Sequence, residues 1–108
     1  MTRITLDLDH MNQNKIRATA HILKYTYLST NPIVMYRTSS SGRGGHILAY
    51  INEEIEEDMV YHLRYILGDH FHRICLDFNK PLDIPKQILF DYKRTNEKTI
   101  YSGAWQNV

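Results

Sequence analysis

Apolar residues recur along the first 78 positions in two patterns, which predict four strands and two helices. A period of two or a short apolar run, typical of strands, marks residues 3–9, 33–38, 46–51 and 73–78. A helical period marks two longer segments, residues 14–29 and 53–67. The predicted order of elements is therefore β-α-β-β-α-β.

The two helical periods also predict which side chains are buried and where each helix ends. The stripe expected in the first helix is Ile16, Ala20, Leu23 and Tyr27. The stripe expected in the second helix is Ile55, Met59, Leu63 and Ile66. Asn12 or Asn14 is expected to cap the first helix and Asn31-Pro32 to end it. Gly68 is expected to end the second helix.

The predicted order is that of a split βαβ motif. Right-handed crossovers would bring the first and third strands together in the middle of one sheet, with the fourth strand on the other side of the first. Both helices would cover one face of the sheet and leave the other face open. The sequence thus predicts an α+β, RRM-like or ferredoxin-like sandwich over residues 3–78, within a single domain of residues 1–108.

Residues 79–108 form a predicted C-terminal extension. Pro81 and Pro85 mark a connection, after which residues 87–93 and 99–105 are spaced to pair as a β-hairpin. We expect this hairpin to cover an edge of the sheet or to extend a site.

Composition narrows the class of protein. A single cysteine, Cys75, excludes an internal disulfide framework and fits a reducing compartment. No apolar run approaches the ~20 residues of a membrane span, and the N-terminus does not resemble a signal peptide. The sequence therefore predicts a cytoplasmic, intracellular protein without a membrane partner.

Charge is unevenly distributed, although the net charge is only +1 and does not by itself indicate a nucleic-acid binder. Residues 1–50 and 73–108 are basic, whereas residues 51–72 carry six acids and one arginine. Most of those acids lie between positions 53 and 58, where a helix is predicted to begin. Because the N-terminal end of a helix favours carboxylates, we interpret this block as a solvated helix start and not as a metal site.

Four polar residues are predicted to converge on the open face of the sheet. Alternation places Asp7 and Asp9 together on the first strand, Asp77 on the neighbouring fourth strand, and His46 at the start of the third. Crowded carboxylates raise one another's pKa values unless a cation joins them. Hard divalent ions bind through a few carboxylates together with substrate phosphates. The sequence therefore predicts a Mg²⁺ or Mn²⁺ site, as expected for metal-assisted phosphoryl or nucleotidyl transfer.

A glycine- and serine-rich turn at residues 39–45 leads into His46. Glycine lets the backbone approach a ligand closely, and serine hydroxyls with successive backbone N–H groups can hold an anion. Arg43 in the turn offers donors suited to phosphate, as Arg37 and Arg73 do on their strands. The same turn composition is typical of an ordinary hairpin, and the arginines could equally be solvated or form surface ion pairs.

Three short segments resemble the motifs of the archaeo-eukaryotic primase superfamily. They are Leu6-Asp7-Leu8-Asp9, Ser41-Gly42-Arg43-Gly44-Gly45-His46 and Ile74-Cys75-Leu76-Asp77. They are similar to an Asp-x-Asp flanked by hydrophobic residues, a small-residue turn that ends in histidine, and a hydrophobic residue followed by aspartate. In that family the three motifs lie in this chain order on an RRM-like sheet. The resemblance covers about residues 3–78.

This resemblance implies a minimal catalytic core, a primase-like nucleotidyltransferase involved in the DNA replication of a virus, plasmid or other mobile element. Asp7, Asp9 and Asp77 would be catalytic and would hold the divalent metals. The residues implied to contact the triphosphate of the incoming nucleotide are Ser41, Arg43 and His46. The implied partners are a nucleoside triphosphate and nucleic acid, with either a second copy of the chain or another replication protein.

The residues alone leave other functions open. A non-catalytic nucleic-acid-binding module or replication adaptor would stack bases on aromatic side chains of the central strands, where Tyr50 is the aromatic residue expected to face outward. A metal-dependent nuclease would use similar carboxylates. A ferredoxin-like oligomerisation or regulatory domain would have an apolar open face. A zinc site at His70, His72 and Cys75 would have three ligands, fewer than the four of a closed structural site.

Overall fold

The computed structural model describes residues 1–27 and 32–108. The first half of the chain contains β1 (Thr2–Leu8), α1 (Gln13–Ile22), a π-helical turn (Leu23–Tyr27), β2 (Ile33–Thr38) and β3 (Gly45–Ile51). The second half contains α2 (Glu57–Ile66), α3 (Phe71–Asn79), β4 (Tyr92–Arg94), β5 (Thr99–Tyr101) and β6 (Gln106–Asn107). The fold is therefore α+β, as the sequence predicts. Among the described residues, no helix combines the length and the apolar character needed to cross a membrane.

Four antiparallel strands form one sheet in the order β1-β3-β2-β6. Thr2 lies opposite Ile51 and Leu8 lies opposite Gly45, so β1 and β3 are paired along their whole length. β2 pairs with the other edge of β3 and with the short β6, while β4 and β5 form a separate two-stranded ribbon. The predicted pairing of the first and third strands is confirmed, but β1 lies at the edge of the sheet and not in its middle. The predicted C-terminal hairpin is present with strands shorter than residues 87–93 and 99–105.

One face of the sheet packs on α1 and α2 and forms the core. The buried sheet residues there include Ile4, Leu6, Leu8, Val34, Ile47 and Ala49. The predicted stripe of α1 is confirmed at Ile16, Ala20 and Leu23. Asn12 caps α1, because its side chain accepts a hydrogen bond of 2.9 Å from Lys15 N–H. The side chain of Tyr27 and the predicted helix end at residues 28–31 lie outside the described part of the chain.

The predicted stripe of the second helix is confirmed at Leu63 and Ile55, which pack in or against the core, and is wrong at Met59 and Ile66, which are exposed. The residues that this helix turns inward are Val60, Leu63 and Arg64. The helix begins at Glu57 and leaves Met59 51% exposed. A pattern of apolar residues cannot anticipate a buried arginine, and here the arginine decides which face is inside. Gly68 follows the helix as predicted, with a φ of +93° that favours glycine.

The predicted fourth strand is also wrong, because residues 73–78 lie within α3. The apolar residues Ile74 and Phe78 suggested a strand face, but Phe78 is 63% exposed. Ile74 and Asp77 face inward instead, three positions apart, as a helical period requires. The helix is favoured because it brings the Asp77 carboxylate to the buried Arg64 guanidinium, with 2.8 Å between Oδ2 and Nη2.

Side chains occupy the edge of β1 where a fourth strand was expected. Gln87 Oε1 accepts a hydrogen bond from Thr5 N–H at 2.8 Å, and Asp69 Oδ1 accepts one from Asp7 N–H at 2.9 Å. Arg73 Nη1 donates to Thr5 O at 3.3 Å. Because these contacts pair the outward backbone groups of β1, this edge needs no further strand.

A buried ion network joins α2, the loop after it and α3. Arg64 is 0% exposed. Its Nε donates to Asp69 Oδ2 at 2.6 Å, beside the ion pair with Asp77. Asp69 also accepts a hydrogen bond of 2.9 Å from Arg73 Nη1. The network holds α3 against β1 and so fixes the positions of Arg73 and Asp77.

The sheet face opposite the helices is partly covered, which corrects the prediction of an open face. Residues 85–91 of the C-terminal extension lie against it, and Trp105 stacks on the Arg37 guanidinium with 4.3 Å from the carbon to the ring centroid. As a result, Thr5 and Arg37 are only 2% and 5% exposed. The extension therefore covers part of this face and shapes whatever site lies beside it.

Candidate functional site

One cavity of about 450 Å³ brings together most of the residues that the sequence singles out. It lies between the end of β1, the turn from β2 to β3, α3 and residues 88–93. The predicted residues that line it are Asp7, Asp9, Ser41, His46, Arg73 and Asp77. Two predicted residues, Arg37 and Arg43, do not line this cavity.

Asp7 and His46 are directly opposite each other on β1 and β3. Arg37 Nε donates a hydrogen bond of 2.9 Å to His46 Nδ1, so the proton of the neutral ring is on Nε2. That Nε2 faces Asp7 Oδ1 at 3.6 Å. Burial, followed by the charges of Arg37 and Arg73, lowers the pKa of His46 to about 4. At neutral pH His46 is therefore an uncharged hydrogen-bond donor that points into the cavity.

Asp7 lies beside a second carboxylate, Asp9, just after the end of β1. Burial and the nearby charge of Asp9 raise the pKa of Asp7 from its ordinary value of 3.8 to about 6. Asp9 Oδ2 lies 3.5 Å from His70 Nε2. Within the described residues, neither carboxylate forms an ion pair with a lysine or an arginine. This carboxylate pair is thus poorly compensated by the protein's own cations.

Asp77 lines the same cavity in a different electrostatic state. Its Oδ2 accepts from Gln87 N–H at 3.1 Å and lies 2.8 Å from Arg64 Nη2, while its Oδ1 lies 3.1 Å from Lys80 Nζ. Burial alone would raise the pKa of Asp77, but the Lys80 and Arg64 cations and the hydrogen bond from Gln87 N–H outweigh it and lower that pKa. The charge of Asp77 is therefore already paired inside the protein.

The turn between β2 and β3 is a compact hairpin loop whose serines form part of the cavity wall. Ser39 N–H donates to Gly44 O and Gly42 N–H donates to Ser39 O, both at 3.0 Å. Ser41 Oγ accepts from Arg43 N–H at 3.2 Å. Since these N–H groups are used within the turn, its contribution to anion binding would come from the serine hydroxyls. Both interpretations of the turn, as a hairpin and as a cavity wall, are compatible with this geometry.

Gly44 is required where the turn crosses the end of β1. A Cβ at this position would lie 2.2 Å from the Leu8 carbonyl oxygen, whereas a Cβ at Gly42 would meet nothing within 4 Å. We expect Gly44→Ala to lower the free energy of unfolding by about 3 kcal/mol, because backbone overlap cannot relax cheaply. Gly42→Ala should cost about 1 kcal/mol, from its φ of +72° alone. Urea denaturation of both variants checks this order, and an equal cost would contradict the close approach.

Arg37 is a positioning residue for His46 in this geometry. Besides His46, its guanidinium contacts Asp91 Oδ1 at 2.8 Å and the Phe90 carbonyl at 3.3 Å, and it stacks on Trp105. These contacts turn it away from the cavity and link the histidine ring to the C-terminal extension. The predicted contact of Arg37 with phosphate therefore has no direct path in this arrangement.

The sequence analysis misses the apolar wall of the cavity. The wall consists mainly of Leu76, Ile88, Leu89, Phe90 and Tyr92, with Lys80 and Lys93 at its polar margins. Ile88, Phe90 and Tyr92 do alternate along the chain, which is the signal that could have indicated a common face. A cavity with one polar side and a larger apolar side suits a ligand with an anionic end and a planar apolar end.

Comparison with known proteins finds no matching family model, no similar curated protein and no similar solved structure. Function is therefore inferred from the site alone. Among the residues described, no group of three or more histidine, cysteine, aspartate or glutamate side chains is arranged to hold a metal ion. Neither the set of His70, His72 and Cys75 nor the three aspartates of the cavity forms such a group.

Proposed function

We propose that this chain is a primase-like domain that binds a nucleoside triphosphate with Mg²⁺ or Mn²⁺ for nucleotidyl transfer in DNA replication. The observation that carries the proposal is the two-sided cavity. Its polar side has Asp7 and Asp9, the serines of the turn and the neutral His46. Its apolar side, with Phe90 and Tyr92, suits a base.

The fold supports the same proposal in part. β1, β3 and β2 lie in the order that an RRM-like sheet requires, with α1 and α2 on one face. The departure is α3, which replaces the fourth strand of that arrangement. Because α3 still presents Asp77 and Arg73 to the cavity, the three motifs of the primase resemblance converge despite the different element.

The residues present fit a divalent cation at two carboxylates. Asp7 and Asp9 have no lysine or arginine ion pair among the described residues. Burial and then the charge of Asp9 raise the pKa of Asp7, and a cation beside the pair would favour the charged carboxylate. Asp77 is paired with Arg64 and Lys80. We therefore propose Asp7 and Asp9 as the metal ligands and Asp77 as the anchor that holds α3 in place.

The remaining groups have distinct proposed roles. His46 Nε2–H and the hydroxyl of Ser41 would donate hydrogen bonds to phosphate oxygens, and Arg73 and Lys93 would add positive charge near them. The apolar wall would contact the base and exclude water. When bound, Mg²⁺ or Mn²⁺ would neutralise the triphosphate and polarise the attacking 3′-hydroxyl.

Calorimetric titration of a non-hydrolysable nucleoside triphosphate analogue tests the proposal. We expect binding that requires Mn²⁺ and weakens about tenfold or more in Asp7→Asn and Asp9→Asn, because each loses a carboxylate ligand. The matched control is Asp83→Asn, which removes an exposed carboxylate outside the cavity and should bind like the parent protein. Binding that is unchanged in all three variants, or absent from the parent protein, would contradict the proposal.

A further inference from the structure

The C-terminal hairpin of β4 and β5 carries exposed aromatic residues that its own stability does not explain. Tyr92 and Tyr101 are paired across the two strands, with ring centroids 6.1 Å apart and an interplanar angle of 54°. Tyr101 is nevertheless 71% exposed, and Phe90, just before β4, is 76% exposed. Cross-strand aromatic pairs contribute modestly to a sheet, and aromatic residues grouped in one exposed patch are typical of a binding surface.

Cations flank these rings. Lys93, Arg94 and Lys98 are exposed, and the Arg94 guanidinium lies 5.8 Å from the centroid of the Tyr92 ring. Two carboxylates face this region from the same segment. Asp91 is paired with Arg37 at 2.8 Å, and Glu97 is in the turn between the strands. The hairpin therefore presents aromatic faces in a locally positive setting.

The hairpin is continuous with the candidate site. Phe90, Tyr92 and Lys93 line the cavity of about 450 Å³, whereas Arg94, Tyr101 and Lys98 belong to the same hairpin but do not line it. Stacking on aromatic rings together with phosphate contacts from cations is how proteins hold single strands without reading sequence. A purely apolar protein partner would leave the cations of the hairpin without counter-charges.

We propose that this hairpin binds single-stranded nucleic acid, with bases stacked on Tyr92, Tyr101 and Phe90 and with phosphates contacted by Lys93 and Arg94. The strand would leave the cavity across the rim and run along the hairpin. The interaction needs neither a divalent metal nor a nucleoside triphosphate, so it can be measured separately from the function proposed for the cavity, with which it shares Phe90, Tyr92 and Lys93.

Fluorescence anisotropy with a labelled 15-nucleotide oligothymidylate, in EDTA and at low salt, tests the proposal. We expect the Tyr92→Ala/Tyr101→Ala variant to bind about tenfold or more weakly, because two stacking faces are removed. Tyr92→Phe/Tyr101→Phe keeps the rings and should bind within about twofold of the parent protein. Tyr65→Ala is the control, since Tyr65 is an exposed aromatic residue of α2 outside the cavity.

A second variant keeps the aromatic pair, so that weaker binding cannot be attributed to unfolding of the hairpin. Lys93→Gln/Arg94→Gln should bind more weakly and reduce the dependence of log affinity on log salt by about 1.4, roughly 0.7 for each phosphate that is no longer neutralised. Equal affinity in all variants, an equal loss in Tyr65→Ala, or no binding by the parent protein would overturn the proposal. Binding in EDTA by a protein that fails to bind the triphosphate would support the hairpin and overturn the proposed nucleotidyl transfer.

Discussion

Replacement of Arg64 by alanine is expected to lower the free energy of unfolding by about 3–5 kcal/mol, enough to unfold a marginal domain. The side chain is 0% exposed and neutralises two carboxylates, Asp69 and Asp77, that are themselves almost completely buried. Without the guanidinium these carboxylates would be left in a low-dielectric environment with fewer partners. Urea denaturation followed by circular dichroism measures the loss.

Arg17→Ala is the matched control for this prediction, because Arg17 is an exposed arginine of α1. It should change the free energy of unfolding by less than about 0.5 kcal/mol. If Arg64→Ala were as mild as Arg17→Ala, the buried network would not be what holds α3 against β1.

Replacement of Asp7 by asparagine is expected to stabilise the protein while it weakens metal-dependent nucleotide binding about tenfold or more. Burial and Asp9 raise the pKa of Asp7 from 3.8 to about 6, so the folded protein disfavours the carboxylate that it carries at neutral pH. At about 1.4 kcal/mol for each pKa unit, reduced because solvent screens the exposed part of the side chain, the native state is destabilised by about 2 kcal/mol above pH 6. Asparagine has nearly the same shape and carries no charge, so the variant should recover that free energy.

The stability that Asp7→Asn is expected to gain over the parent protein depends on pH. Below pH 3.8 Asp7 is protonated in both the folded and the unfolded chain, and the variant should have no advantage. As the pH rises from 3.8 through the pKa of about 6 in the folded state, the unfolded chain releases its proton before the folded chain does. The parent protein therefore loses stability relative to the variant over this range. Denaturation at pH 4.5 and pH 7.5 measures the change. A variant that is less stable at pH 7.5 would show that Asp7 has a structural role and would contradict the account of the site.

Asp7 and His46 are the part of the site that the sequence predicts best. Alternation along β1 predicts the face of Asp7, and the turn before β3 predicts that His46 begins that strand. The pairing of β1 with β3, which puts the two residues opposite each other, follows from the order of the elements along the chain and not from a local pattern. β2, predicted at residues 33–38, likewise has its predicted bounds. Short-range patterns of this kind are decided by backbone geometry, which the sequence encodes directly.

Asp77 illustrates where such patterns fail. It lines the cavity as predicted, but from a helix and with its charge paired to Arg64 and Lys80. The alternation at residues 73–78 is compatible with either element. The choice depends on a buried arginine 13 positions earlier in the chain, and such a long-range ion pair cannot be inferred from periodicity. The predicted role of Arg37 fails for the same reason. Its contacts with Asp91 and Trp105 come from the C-terminal extension, which is distant in the chain.

The central claim, that the cavity holds a divalent cation beside a triphosphate, is tested most directly by nuclear magnetic resonance. Mn²⁺ broadens the resonances of nearby nuclei, so it can be added with the non-hydrolysable triphosphate to isotopically labelled protein. We predict broadening centred on Asp7, Asp9 and His46 and on the serines of the turn, and its loss in Asp9→Asn. Broadening centred on the acidic residues 53–58, or none at all, would contradict the claim.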